Sequence, residues 1–194
     1  MVIAMAGSLP EGDPEAARLP FVLALLSLTA LAFAVVGAVV LIRRPDNQIG
    51  WLLIAAGPTI ILTFGGFVAA GIKTVSPGWD PARDDWPGWI GSVAFYPMFL
   101  VFAQIVIRFP DGRLPSPRWR WVTRVFVTAM IAVTLVSAVT PGSLGDDLGA
   151  NPLGLEIDLL ERLAPAIYAL GSAAVISAMA LGVIAMVARF RRAR

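Results

Sequence analysis

The residues best suited to chemistry are arginines gathered in one short segment between two long apolar runs. Five of the fifteen basic residues lie within residues 108–124 and form an inner basic loop: Arg108, Arg113, Arg118, Arg120 and Arg124. Arginines beside a bilayer attract anionic headgroups. They also favour one side of the membrane for the loop that carries them. We interpret this loop first as a topology-setting segment, with a dedicated lipid or partner site as the alternative.

The same loop should be rigid. Residues 109–112 read Phe-Pro-Asp-Gly, which suits a type I turn with Pro at the second position and Gly at the fourth. Pro115 and Pro117 prevent the flanking helices from fusing through the loop. Trp119 and Trp121 are expected at headgroup depth. The pattern therefore predicts a stiff basic hairpin between two membrane spans.

A second charged group is acidic and lies in the loops predicted to be outside. Asp80, Asp84 and Asp85 stand close together in the sequence, and Asp146 and Asp147 occupy the next outer loop. Such a cluster could attract a divalent cation or a cationic peptide. The outer loops would also be acidic simply because basic residues are concentrated in the inner loops. We therefore keep the ligand site as the weaker interpretation.

Several kinds of chemistry are missing from the sequence. The chain has no cysteine and no histidine, which excludes disulfides, thiolate metal sites and imidazole bases. No phosphate-binding glycine loop, metal-ligand cluster or nucleophile–base pair is present. The interiors of the apolar runs carry no ionisable side chain, and Gln104 is expected to bond to a neighbouring helix. We therefore predict no enzyme activity, no cofactor, no metal and no nucleic-acid partner.

The composition predicts an all-α integral membrane protein. Hydrophobic residues make up 58% of the chain, charged residues 14%, and the mean hydropathy is +0.79. A soluble domain carries about 25% charged residues. Five apolar runs are long enough to cross a bilayer as helices, because about 20 residues suffice. They are predicted at about residues 20–42, 49–72, 89–109, 121–140 and 164–188.

The distribution of basic residues predicts the orientation of these spans. Eleven lysines and arginines fall on one side and four on the other. Since cytoplasmic loops carry the excess, the N-terminus should be outside and the C-terminus inside the cell membrane, in a multi-pass protein. Residues 1–19 are read as a polar, disordered tail and residues 191–194 as a basic cytoplasmic end. Pro20 would then lie in the first turn of a helix.

Three further features concern helix packing. The fifth span carries a stripe of small residues at three- and four-residue steps: Gly171, Ala174, Ala178, Gly182 and Ala185. Another helix can approach such a stripe closely. Packing within the monomer is the simpler interpretation, and a homodimer contact is the alternative. Pro58 and Pro97 predict kinks within spans two and three. Residues 155–163 have the spacing of a short amphipathic helix at the outer interface.

Three segments resemble a known family. They are Arg-Arg-Pro-Asp-Asn-Gln-Ile-Gly-Trp at 43–51, Phe-Pro-Asp-Gly-Arg-Leu-Pro-Ser-Pro-Arg-Trp at 109–119 and Asn-Pro-Leu-Gly-Leu at 151–155. Together they look like the N-terminal multi-span region of actinobacterial sensor histidine kinases. In that family, cytoplasmic dimerisation, phospho-acceptor and ATP-binding modules follow the membrane region, and this chain contains none of them. The resemblance therefore implies a sensory or anchoring input region of a two-component receptor, partnered by a cytoplasmic kinase module. A free-standing membrane scaffold or partner subunit is the alternative, and a channel or transporter component ranks third.

Overall fold

The computed structural model describes residues 14–74, 85–145 and 148–192 of the chain. These residues form five long helices and one short hairpin. The helices are α1 (Pro14–Arg43), α2 (Gln48–Thr74), α3 (Trp86–Arg108), α4 (Trp119–Val139) and α5 (Asp158–Arg192), and the strands are β1 (Ser143–Gly145) and β2 (Gly149–Ala150). All five helices are long and apolar enough to cross a membrane, which confirms the predicted number of helices.

All five helices begin earlier than the hydropathy pattern predicted, and the difference is largest for α1 and α5. Helix α1 starts at Pro14, so Pro20 lies inside the helix rather than in its first turn. The residues between the two prolines are Glu, Ala, Ala, Arg and Leu, all good helix formers, and they extend the helix beyond its apolar part. Helix α5 starts at Asp158 and runs on past Pro165 without a break. The separate amphipathic helix predicted at 155–163 is therefore wrong, because most of that segment forms the first turns of α5.

Small residues set the antiparallel packing of the first three helices. Gly37 of α1 lies against Gly50 of α2, where an added Cβ would come 2.7 Å from the Gly50 carbonyl oxygen. Gly66 of α2 lies against Gly91 of α3, where an added Cβ would come 2.6 Å from the Gly91 nitrogen. At both places two backbones touch, so a larger side chain would separate the helices. Neither contact was predicted from the sequence.

Helix α3 lies in the centre of the bundle. It packs against α2, α4 and α5, while α1 packs mainly on α2. A buried cluster, which we call the central cluster, joins α3, α4 and α5 and consists of Ala103, Phe126, Met130, Val133 and Ala178. Met130 and Val133 are fully buried. Because these side chains come from three helices, the cluster fixes α4 and α5 on the same side of α3.

The two ends of the bundle differ in character. The α1–α2 connection at residues 44–47 and the α3–α4 loop at residues 109–118 meet at one end, which we call the basic end. The β1–β2 hairpin and the start of α3 lie at the other end, which we call the hairpin end. The hairpin pairs Ser143 with Ala150 and Gly145 with Gly149, with an irregular register between the two pairs.

The outward faces of the helices are apolar. Leu28 on α1, Leu135 on α4 and Ile176 on α5 expose 64%, 63% and 70% of their surfaces. Soluble monomers rarely expose apolar patches larger than a few hundred Å². These faces are compatible with a multi-pass membrane protein surrounded by lipid tails.

Candidate functional site

A pocket at the hairpin end is the best candidate for a binding site. It has a volume of about 390 Å³ and is enclosed by α2, α3, α4, α5 and the hairpin. Residues that carry hydroxyl groups line it from four of these elements, and they are Ser92, Tyr96, Ser137, Thr140, Ser143 and Tyr168. Its volume falls within the range of about 300–1,000 Å³ that is common for small-molecule sites.

Two tyrosines give this hairpin-end pocket its character. Tyr96 on α3 and Tyr168 on α5 both line the pocket, and they are the only tyrosines in the chain. Both are half-buried and pack against the central cluster. The apolar part of the wall is formed by Phe67 and Phe95, together with Leu144 of the hairpin. A pocket lined by both apolar and hydroxyl-bearing side chains suits a small amphipathic molecule better than an ion.

The hairpin that closes the pocket is fixed to the start of α3 by Asp85. This residue precedes α3, exposes only 6% of its surface, and accepts the Ala150 N–H on Oδ2 at 2.8 Å. Its other oxygen, Oδ1, lies against Gly149, where a Cβ would overlap it. Gly149 has φ of +82°, a conformation that glycine adopts without strain. Asp85 therefore holds the second strand of the hairpin against α3.

The segment after the hairpin is fixed to the end of α4 by Asn151. Its Nδ2 donates to the carbonyl oxygens of Thr140 at 2.7 Å, Ala138 at 3.2 Å and Ser137 at 3.3 Å. The last carbonyls of a helix have no partner within the helix, and Asn151 supplies one from outside. The Leu155 N–H donates to the carbonyl oxygen of Val139 at 2.8 Å and strengthens the same junction. The segment after the hairpin and the end of α4 are thus joined by hydrogen bonds.

Only Asp85 of the predicted acidic site lies in the described part of the chain, so the site stays a prediction. Asp85 is turned toward Ala150 rather than toward solvent. Asp80, Asp84, Asp146 and Asp147 lie outside the described residues. Among the described residues, no group of three or more Asp, Glu, His or Cys side chains could hold a metal ion.

The first arginine of the inner basic loop is positioned by contacts with side chains of α2 and α3. Arg108, the last residue of α3, donates its Nε–H to Oε1 of Gln48 at 2.9 Å and its Nη1–H to Oε1 of Gln104. Gln104 therefore accepts a bond from its own helix, whereas the sequence analysis expected a bond to a neighbouring helix. The buried Nε2 of Gln104 has no partner among the described residues.

The turn that follows α3 also differs from the prediction. The Gly112 N–H donates to the carbonyl oxygen of Arg108 at 2.9 Å, whereas a type I turn would close on Phe109. A cis peptide bond joins Phe109 and Pro110. Gly112 has φ of +73° and lies against Asn47, so a Cβ at Gly112 would come 2.8 Å from Asn47 Cγ. The two basic loops thus touch at a position that suits only glycine.

Two adjoining grooves result at the basic end. The first, which we call the arginine groove, has a volume of about 520 Å³ and is lined by Gln48, Arg108, Arg113, Ser116, Pro117 and Arg120, among others. The second has a volume of about 800 Å³, and its charged residues are Arg43, Arg44, Asp46, Asp111 and Arg113. Arg118 is exposed outside the lining of the arginine groove, and Arg124 lies 5.2 Å from the centre of the Trp121 ring. The structure therefore brings together three of the five predicted arginines.

The small-residue stripe of α5 lies against the other helices of the same chain. A Cβ on Gly171 would come 2.8 Å from Val133 of α4, and a Cβ on Gly182 would come 2.7 Å from Val106 of α3. Ala178 and Ala185 are buried, and Ala174 packs against the central cluster. The stripe is thus occupied by α3 and α4.

Sequence reasoning missed the residues that organise both ends. Two of the three segments that carry the family resemblance contain Asn47, Gln48 and Asn151. These segments indicated a family resemblance but no structural role for the three residues. Tyr96 and Tyr168 carried no signal beyond being the only two tyrosines of the chain. Comparison with family models, curated proteins and solved structures gives no match for this chain.

Proposed function

We propose that this chain is the membrane-embedded input region of a two-component signalling receptor. The five helices would span the cell membrane, with the N-terminus and the hairpin end outside and the basic end in the cytoplasm. The apolar outward faces and the eleven-to-four distribution of basic residues support this arrangement. The signalling part of the proposal rests on the family resemblance of three segments.

The observation that carries the proposal is that the hairpin-end pocket shares a wall with the last helix. Tyr168 of α5 faces the pocket, and α5 continues from there to Arg192 beyond the level of the basic end. Ser92 and Tyr96 bring α3 to the same pocket, and Ser137 brings α4. A molecule bound here would contact all three helices that pack around the central cluster.

Signalling would then require that the ligand binds one arrangement of α5 more tightly than another arrangement. A ligand shifts such an equilibrium only if it binds one arrangement better than the other. Contacts to Tyr168 on one side and to Ser92 and Tyr96 on the other supply that difference, because they depend on the position of α5 relative to α3. Catalysis would belong to a cytoplasmic kinase module that receives the movement of α5.

The coupling can be tested without knowing the ligand. The chain has no cysteine, so Val187→Cys, on the exposed face of α5 at the distant end, gives a single labelling site. Ser92→Phe should fill the pocket and mimic occupancy. We expect it to change the rate at which a water-soluble maleimide labels position 187 in vesicles.

The matched control is Ser27→Phe, which makes the same substitution on the outward face of α1. It should leave the labelling rate at position 187 unchanged. Equal labelling rates in the pocket variant, the control variant and the parent would contradict the proposal, provided that all three proteins insert and show the same unfolding temperature.

A further inference from the structure

The arginine groove at the basic end has the features of a built anion site. Its described lining holds three arginines, Arg108, Arg113 and Arg120, and no carboxylate. The adjoining groove contains Asp46 and Asp111 as well as arginines, so its charge is partly balanced. We infer that the arginine groove binds the phosphate group of an anionic phospholipid. This inference rests on the proposed membrane insertion, but it concerns a different site from the hairpin-end pocket.

The guanidinium of Arg108 is held in place by neutral groups. Its Nε–H donates to Gln48 Oε1 at 2.9 Å, and its Nη1–H donates to Oε1 of Gln104, which exposes only 5% of its surface. Both of these acceptors are amide oxygens, which orient the guanidinium and carry no formal negative charge. Arginine is suited to phosphate because its planar fork can offer two parallel N–H groups to two oxygens.

Arg120 lies in the first turn of α4, and Arg113 lies on the preceding loop, which has little freedom. Pro115 and Pro117 restrict its backbone. Gly112 brings the start of the loop against Asn47, a residue whose Oδ1 also accepts the Ile49 N–H at 2.9 Å. A preorganised site loses less conformational entropy on binding than a flexible one does. The backbone of the loop is therefore restricted, and Arg113 and Arg120 line the same groove as Arg108.

The surroundings of the groove favour a lipid over a soluble anion. Trp51 near the start of α2 and Trp121 near the start of α4 expose 64% and 69% of their surfaces at this end of the bundle. Tryptophan side chains are enriched at membrane interfaces, where headgroups lie. Ile42, at the end of α1, exposes 82% of its surface at the same level. A groove at this depth would meet lipid phosphates at high local concentration.

The test uses the purified full chain in nonionic detergent and two short-chain lipids with the same phosphodiester. Dioctanoyl phosphatidylglycerol is anionic, and dioctanoyl phosphatidylcholine carries a compensating ammonium. We expect the chain to bind the anionic lipid more tightly. Because a base near an anionic surface contributes about 1 kcal/mol, Arg120→Gln should weaken this binding about fivefold. Gln48→Leu should also weaken it, since Arg108 would keep its charge but lose one of the two amide contacts that orient it.

The matched control is Arg118→Gln, which removes the same charge from the same loop outside the groove lining. It should leave the affinity unchanged, with unfolding temperatures measured for every variant. Equal weakening by Arg118→Gln and Arg120→Gln would overturn the site in favour of diffuse surface charge. Equal binding of the two lipids would also overturn it. Displacement of the anionic lipid by inorganic phosphate at comparable concentration would instead show a site for free phosphate and overturn the lipid assignment.

Discussion

The side-chain amide of Asn151 donates to the carbonyl oxygen of Thr140 at 2.7 Å and so joins the segment after the hairpin to the end of α4. The same Nδ2 group lies within hydrogen-bonding distance of two further carbonyl oxygens, those of Ser137 and Ala138. The Oδ1 atom of Asn151 accepts the Leu153 N–H at 2.9 Å. A single side chain therefore satisfies polar groups on both sides of this junction.

We predict that Asn151→Asp destabilises the chain as much as Asn151→Ala or more, by about 1–3 kcal/mol. The aspartate keeps the shape and the acceptor for Leu153, but it places a carboxylate oxygen against helix carbonyls in place of a donor. The measurement is thermal unfolding of the purified variants in detergent. An aspartate variant as stable as the parent would show that the three carbonyl contacts contribute nothing.

Gly112→Ala should destabilise the contact between the two basic loops. At φ of +73° an alanine costs roughly 1–2 kcal/mol, and its Cβ would also overlap the Asn47 side chain. Gly71→Ala in α2 is the matched control, because no atom of the described residues would lie within 4 Å of a Cβ there. In unfolding experiments the control should be neutral or slightly stabilising. Similar losses at both positions would argue against the loop contact.

Gly182→Leu should disturb the packing of α5 on α3. A Cβ at this position would come 2.7 Å from Val106 Cγ1, and overpacking of this kind costs about 1–3 kcal/mol. Val183→Leu, one residue further, changes a side chain that exposes 57% of its surface and should have little effect. The unfolding temperature and the yield in detergent report the difference. Equal effects of the two substitutions would count against the stripe as a packing surface.

The proposed orientation can be tested with reporter fusions along the chain. Fusions after Arg44 and Arg118 should report the cytoplasm, because those loops carry the excess of arginine. Fusions after Asp80 and Asp147 should report the exterior. An exterior signal after Arg118 would reverse the arrangement and would place the hairpin-end pocket in the cytoplasm.

The helices could be predicted from the sequence because each apolar run is long enough to be read on its own. The functional contacts could not, because they join residues that are distant along the chain. Gln48 and Arg108 are an example, since hydropathy gives no sign that an amide on α2 orients a guanidinium on α3. Asp85 is another example: its sequence context suggested an acidic patch, but its partner is the backbone N–H of Ala150. Helix ends were misplaced where good helix formers extend beyond the apolar run, as between Pro14 and Pro20.

The central claim is that filling the hairpin-end pocket changes the position of α5, and that this change controls a kinase. It can be measured most directly by joining residue 194 to the dimerisation, phospho-acceptor and ATP-binding modules of a sensor kinase. A set of fusions stepped residue by residue through one helical turn would sample the rotation of α5, with autophosphorylation measured in vesicles. We predict that Ser92→Phe changes the autophosphorylation rate in at least one of these fusions, whereas Ser27→Phe changes it in none. Unchanged rates with Ser92→Phe in every folded and inserted fusion would contradict the account.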